Sequence, residues 1–397
     1  MFKDTRGCVL TTNNHQAYEI FLKGLEKYLS LDETGIPEFE QSILYDNEFS
    51  IAYVLLARQY SINGELNLSK KHLNSSKKYM ANTSKREKGV INAIELMMND
   101  QEESIIYMLE HLDQHPTDVI VLSQLLGPFG LLAFSNRSDW REENLKLILD
   151  LSKHFSSDDW WFETTKAFIY GENNDEKKSR YFGERSWELS ANGNSAHTMS
   201  HIHYDFGSVK EGRDFIDAWL VSNKSKSRME HHLRWHDALL ALKEGQLNEI
   251  KAIYTDFLCE DFKTSPLEYL ADNASLLWYC LINKIDIPLS RYSELYEFSK
   301  KHYPEFGFKF ADMHKLMMAS IVDSRNYIEI KNKINNVYSD DDSCKKLFEA
   351  LILFKDGEFK ESQKILSNVI KNEASFGGSN VQRSILYETL EKSKINQ

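Results

Sequence analysis

The sequence predicts an all-α protein, a solenoid of paired helices. Three observations carry this. Helix breakers are scarce, with 6 Pro and 17 Gly in 397 residues, below the roughly 5% and 7% of ordinary chains. The chain is 42% hydrophobic, with 22 Phe, 19 Tyr and 7 Trp, enough apolar surface for a sizeable core. Finally, glycines recur at a regular interval between amphipathic runs.

Those glycines define the elements in order. Asn63-Gly64, Phe206-Gly207, Glu244-Gly245 and Asp356-Gly357 each follow an amphipathic run, and an apolar residue stands two positions later: Leu66, Val209, Leu247 and Phe359. A second amphipathic run then begins. This is helix, turn, helix, with Gly supplying the left-handed conformation that a side chain disfavours. Gly207 to Gly245 is 38 residues. The longer gaps divide into units of about 36 or 37, the mid-thirties period of tetratricopeptide-type repeats. Weaker turns at Gly171 and Arg325 fit the same ladder. Such units stack because none buries its apolar face alone. The expected architecture is a right-handed α-solenoid of degenerate tetratricopeptide-like helix pairs, with about twenty helices and no sheet. Residues 1–374 form one continuous solenoid in this reading, and 375–397 a loop and a C-terminal capping helix of the same domain. Residues 116–140 break the rhythm, where Gly127-Pro128-Phe129-Gly130 interrupts an apolar helix. A kink, a closing loop and a helix junction all fit that segment, and its mobility is left open.

Composition narrows function. The formal net charge is −12, which argues against a general nucleic-acid or anionic-membrane binder. Lys70, Lys71, Lys77 and Lys78 read as a solvated helix face. Cys8, Cys259, Cys280 and Cys344 are widely spaced and read as reduced packing thiols. The opening residues lack the apolar run of a signal peptide, and no stretch approaches the ~20 apolar residues of a membrane span. A cytoplasmic protein is expected, its oligomeric state open. There is no GxxxxGK[ST], no GxGxxG after a strand, no GxSxG and no cysteine-nucleophile signature. The run Asp340-Asp341-Asp342 lacks EF-hand spacing and reads as a solvated loop with an N-cap.

Six of the 13 histidines lie between His197 and His236. His197 with His201, and His232 with His236, are i, i+4 pairs, so each pair shares one helix face. Counted back from Gly207 and Gly245, the four stand at offsets 10, 6, 13 and 9, one common face of two successive first helices. First helices line the concave side of such arrays. In the same register Asp312 stands 13 before Arg325, with His314 beside it, and Asp272 falls in the intervening unit. Trp235 and Trp278 are candidate pocket walls. His231 falls off the shared face and reads as exposed, and His203 is unassigned.

The chain also resembles the tetratricopeptide repeat protein 38 family. The carrying stretches are LTTNNHQAYEIFLKGLEKYL, TSKREKGVINAIELMMND, DQHPTDVIVLSQL, SAHTMSHIHYDFGSVKEG, HHLRWHDALLALKEG, ADNASLLWY and FADMHKLMM. They span nearly the whole chain in order, and the two histidine segments are the most specific. The resemblance implies an all-helical solenoid of paired helices. It brings no catalytic residues to transfer.

Three chemistries suit the histidines: a hydrogen-bonded structural network, a pocket for an organic ligand, and a divalent-metal site. Imidazole titrates near working pH and serves as hydrogen-bonding or acid–base group. Two HxxxH pairs chelate zinc or another divalent ion, but Thr198 and Leu233 stand where HExxH hydrolases carry their glutamate. The leading expectation is a binding protein whose groove, centred on His197, His201, His232 and His236, holds a small molecule or peptide segment. Trp235, Asp272, Trp278, Asp312 and His314 are further lining candidates. The rival is an enzyme using the same histidines, with Asp312 or Asp272 as orienting carboxylate.

Overall fold

The computed structural model describes residues 1–127, 129–223, 227–257 and 264–396. Among them are 21 α-helices, from His15–Ser30 to Asn380–Ile395. One correction concerns the N-terminus, where no sheet was expected. Phe2–Lys3 pairs antiparallel with Val9–Leu10. The Asp4 carboxylate accepts the backbone N–H of Arg6 at 2.9 Å and of Cys8 at 2.8 Å, which folds the chain back on itself. Two-residue strands carry no readable alternation, so the ladder leaves no pattern in the sequence. No described helix is long and apolar enough to cross a membrane.

The second helices begin at the residues the glycine pattern marks: Leu66–Tyr79, Val209–Asn223, Leu247–Phe257 and Phe359–Val369. Five inter-helix turns share one hydrogen-bond pattern. At Gly64, Asn174, Gly245, Lys284 and Gly357 the backbone is left-handed, with φ of 77°, 58°, 74°, 57° and 83°. In each, the following N–H reaches back five residues to a carbonyl: Tyr60, Tyr170, Ala241, Cys280 and Leu353. This is the Schellman ending, which satisfies the last carbonyls of the first helix. Gly171 lies within the last turn of Trp160–Glu172, and Asn174 takes the left-handed position instead. Gly207 has no left-handed backbone. A side chain there would strike the His203 backbone, with a Cβ 2.7 Å from its Cα.

A second repeated contact closes three of the pairs. Ser69 Oγ donates to the Ala57 carbonyl, Ser179 to Ala167 and Ser362 to Ala350, at 2.7, 2.9 and 2.8 Å. Alanine on one helix and serine on the other let the two backbones approach closely. Each hydroxyl then satisfies its own hydrogen bond inside the interface.

The chain divides into two compact units. The first comprises residues 1–135, 140–202 and 217–230. Its core gathers Phe21, Phe39, Phe49, Ile91, Leu122 and Phe162. There the helix pairs His15–Ser30 with Ile36–Tyr45, Ser50–Ile62 with Leu66–Tyr79, and Trp160–Glu172 with Glu176–Leu189 pack together. A buried ion pair ties the N-terminal ladder to this unit. Arg86 grips Asp118 through two hydrogen bonds of 2.6 and 2.7 Å, donates to the Val9 carbonyl, and His111 adds a third contact to Asp118.

The second unit comprises residues 136–139, 203–216 and 231–397. Its first helices Pro266–Ile282, Lys309–Val322 and Ser343–Lys355 lie side by side. The final helix, Asn380–Ile395, packs on Phe359–Val369 and returns to Pro266–Ile282. There Trp278 donates to Thr389 at 2.9 Å, and the Tyr279 and Ser384 hydroxyls meet at 2.9 Å. Of the turn segment near Gly127, Pro128 lies outside the described residues, as does Cys259. Gly127 is left-handed, and its carbonyl accepts the Gly130 N–H at 3.1 Å.

Candidate functional site

In the first unit, His197 and His201 project from helix Gly193–Phe206. Asn192 starts this helix: its side chain accepts the Ser195 N–H while the Ser195 hydroxyl accepts the Asn192 N–H, both at 3.0 Å. Both imidazoles are buried. One turn of helix brings their Nε2 atoms to 2.9 Å. Phe168 lies edge-on to His201 and Phe129 stacks on His197. Two facing Nε2 atoms share either a proton or a cation. Nitrogen ligands on one tetrahedral zinc stand about 3.3 Å apart, so small rotations convert this pair from proton sharing to chelation.

In the second unit, His232 and His236 project from helix Glu230–Lys243 and are almost wholly buried. Their rings meet edge to face at 4.8 Å, and Trp235 stacks on His232 at 5.1 Å. The indole N–H of Trp235 donates to Ser275 at 2.8 Å, and the Ser275 hydroxyl donates to the Asp272 carbonyl. Asp272 is the anchor. Its carboxylate oxygens lie 2.9 and 3.0 Å from His232 Nδ1. Burial pushes the Asp272 carboxyl upward, but His232 and His231 hold it below the usual carboxylate range. Burial likewise opposes charge on His232, and the Asp272 carboxylate outweighs it, raising that imidazole above its ordinary value. With Nδ1–H given to the carboxylate, a neutral His232 carries its lone pair on Nε2.

The other sequence-derived residues divide. Asp272 meets His232, although the sequence register singled out Asp312 and placed Asp272 only in the intervening unit. His231 corrects the reading as exposed: only 10% of its side chain is exposed, and its Nδ1 lies 3.3 Å from Asp272. A carboxylate below the start of the helix draws in both rings of the His231-His232 doublet, the one signal the sequence held for it. Asp312 instead accepts the Gly307 N–H at 2.9 Å and the Tyr338 hydroxyl, holding the loop before its own helix. Neither Asp312 contact reaches an imidazole. His314 gives Nδ1 to the Phe310 carbonyl at 2.7 Å, and burial pushes its pKa down to about 4. It is a neutral ring within electrostatic reach of Asp272. Trp278, a candidate pocket wall, is packed against the final helix through Thr389. His203 packs in its own turn, against Phe215 and over Gly212, where a Cβ would lie 2.9 Å from the His203 Cβ.

No protein-family model matches the chain. Among solved structures, the P58(IPK) TPR domain aligns with 96% of this chain and 98% of its own, at 13% identity and a TM-score of 0.23. At that score the alignment carries no structural argument, and the helix-pair reading rests on the turns and contacts described above.

Proposed function

We propose that the protein is a tetratricopeptide-like binding protein whose buried histidine pairs, His197 with His201 and His232 with His236, serve as ligands of divalent transition-metal ions. The single observation that carries this is the Asp272 carboxylate on His232 Nδ1 at 2.9 Å. Metal-bound imidazoles characteristically give their other nitrogen to a carboxylate, which sets the tautomer and aims the lone pair. The 2.9 Å Nε2 separation of His197 and His201 supports the same chemistry. Imidazole ligands favour zinc among abundant divalent ions. Membership of the tetratricopeptide repeat protein 38 family and a cytoplasmic setting belong to this same reading.

Plasma mass spectrometry of tag-free protein tests it. The expected result is a bound zinc-class ion, its content reduced by His201→Ala and by His232→Ala. Asp272→Asn should weaken the ion by about 10- to 100-fold, as removal of such carboxylates does elsewhere. Wild-type protein that stays metal-free after incubation with zinc overturns the proposal. So does a zinc content left unchanged by both His201→Ala and His232→Ala with unchanged helical circular dichroism.

A further inference from the structure

Two arginines of the first unit have no carboxylate partner among the described residues. Arg58 lies on helix Ser50–Ile62, Gln124 on Val119–Leu125 and Tyr28 on His15–Ser30. Arg58 Nε donates to Gln124 Oε1 at 2.7 Å, and Gln124 Nε2 donates to the Tyr28 hydroxyl at 2.8 Å. This relay orients the Arg58 fork, whose other hydrogen-bond partner among the described residues is the uncharged Tyr28 hydroxyl. Arg228 arrives at the end of the Tyr28 helix. Its backbone N–H donates to the Asp32 carbonyl at 3.0 Å, beside Ser227 on the Leu31 carbonyl and Asn194 on the Leu29 carbonyl. Arg228 is only 9% exposed, and its guanidinium has no hydrogen bond or ion pair among the described residues. The two cations sense each other. Burial lowers the Arg58 pKa, and the Arg228 charge acts in the same direction against the pull of Tyr28.

The other well-buried arginines are neutralised. Arg86 grips Asp118, Arg383 pairs with Glu373, and Arg6 with Asp159. The partly buried Arg213 meets Asp237, Glu244 and Glu249. A buried cation left uncompensated is costly, so the exception at Arg58 and Arg228 calls for a charge from outside. We propose that Arg58 and Arg228, with the Tyr28 hydroxyl, form a binding site for a dianionic tetrahedral oxyanion, the phosphate group. Two guanidinium forks balance two negative charges, and each fork engages two oxygens of one face. The Tyr28 oxygen accepts from Gln124, and its own proton remains to donate to a third oxygen. Inorganic phosphate and the terminal phosphoryl group of a small molecule present the same chemistry.

Calorimetric titration of the full chain with inorganic phosphate, at fixed ionic strength and with chelator present, tests this separately from the histidine site. One phosphate per chain is expected, bound about tenfold more weakly by Arg228→Gln, the loss of roughly one charged hydrogen-bonding group. Arg58→Lys keeps the charge but loses the fork, and should weaken binding by a smaller factor. His201→Ala should bind as wild type. Phenyl phosphate binding as tightly as phosphate assigns the site to a small-molecule phosphoryl group; phosphate alone binding assigns it to the free ion. In phosphate-free buffer, Arg228→Gln should melt no lower than wild type, because it removes an uncompensated charge. No heat above a matched chloride titration overturns the proposal, as does equal binding of succinate. So does phosphate binding that survives Arg228→Gln and Arg58→Lys but is lost in His201→Ala.

Discussion

At the scale of single residues, burial sets the chemistry and partners decide its sign. Asp118 shows this most clearly. Its complete burial alone would push the carboxyl upward, but Arg86 and His111 hold it well below the usual carboxylate range. The folded state therefore releases this proton more readily than the unfolded chain. The stability it adds is full above the unfolded value of about 3.9 and is lost as pH falls through the folded value. Asp118→Asn strands a buried guanidinium, which costs about 3–5 kcal/mol in comparable pairs. Urea melts should show that loss at pH 7 and a much smaller difference between variant and wild type near pH 2. An equal difference at both values would show that the substitution acts through packing instead. The sequence offered no hint of this pair, because Arg86 and Asp118 stand 32 positions apart. The His197–His201 contact was legible for the opposite reason, since one helical turn sets it.

At the scale of elements, the repeat turn is a backbone requirement that three different residue types satisfy. Gly64, Gly245 and Gly357 satisfy it at no steric cost. Asn174 tolerates it, and Lys284 is strained by it, with φ of 57° where an L side chain costs roughly 1–2 kcal/mol. Lys284→Gly relieves that strain at some cost in chain entropy. It should stabilise the protein by about 0.5 kcal/mol net, read as a small rise in the urea midpoint; a lower midpoint would show that the lysine side chain is needed. This explains why glycine spacing revealed only part of the ladder: Asn174 and Lys284 leave no glycine to read. The Ala57/Ser69, Ala167/Ser179 and Ala350/Ser362 contacts repeat at a constant separation of 12. That small-residue pattern was present in the sequence and would have located the Asn174 turn without a glycine.

At the scale of the molecule, the final helix is more than a cap. Asn380–Ile395 seats Thr389 on Trp278, whose side chain is fully buried. Ending the chain at Ser379 should uncover that indole. Hydrogen exchange should then quicken across Pro266–Ile282, and tryptophan emission should shift to the red; unchanged protection there would make the helix a passive end. The sequence by itself determined the predominantly helical class, four of the second-helix starts, three of the five left-handed repeat turns and the two histidine pairs. All of these are set within a few turns of chain, by side-chain period, backbone φ and i, i+4 spacing. Only the tertiary structure decided which carboxylate orients His232, since Asp272 and Asp312 were equal candidates until folding gave Asp312 to Gly307 and Tyr338. It also decided that Trp278 belongs to the core, and that Arg58 and Arg228 lack a carboxylate partner among the described residues. Such contacts join segments tens to more than a hundred residues apart. Their selection comes from burial, which penalises every unsatisfied charge and polar group the fold encloses, and no local period records that outcome.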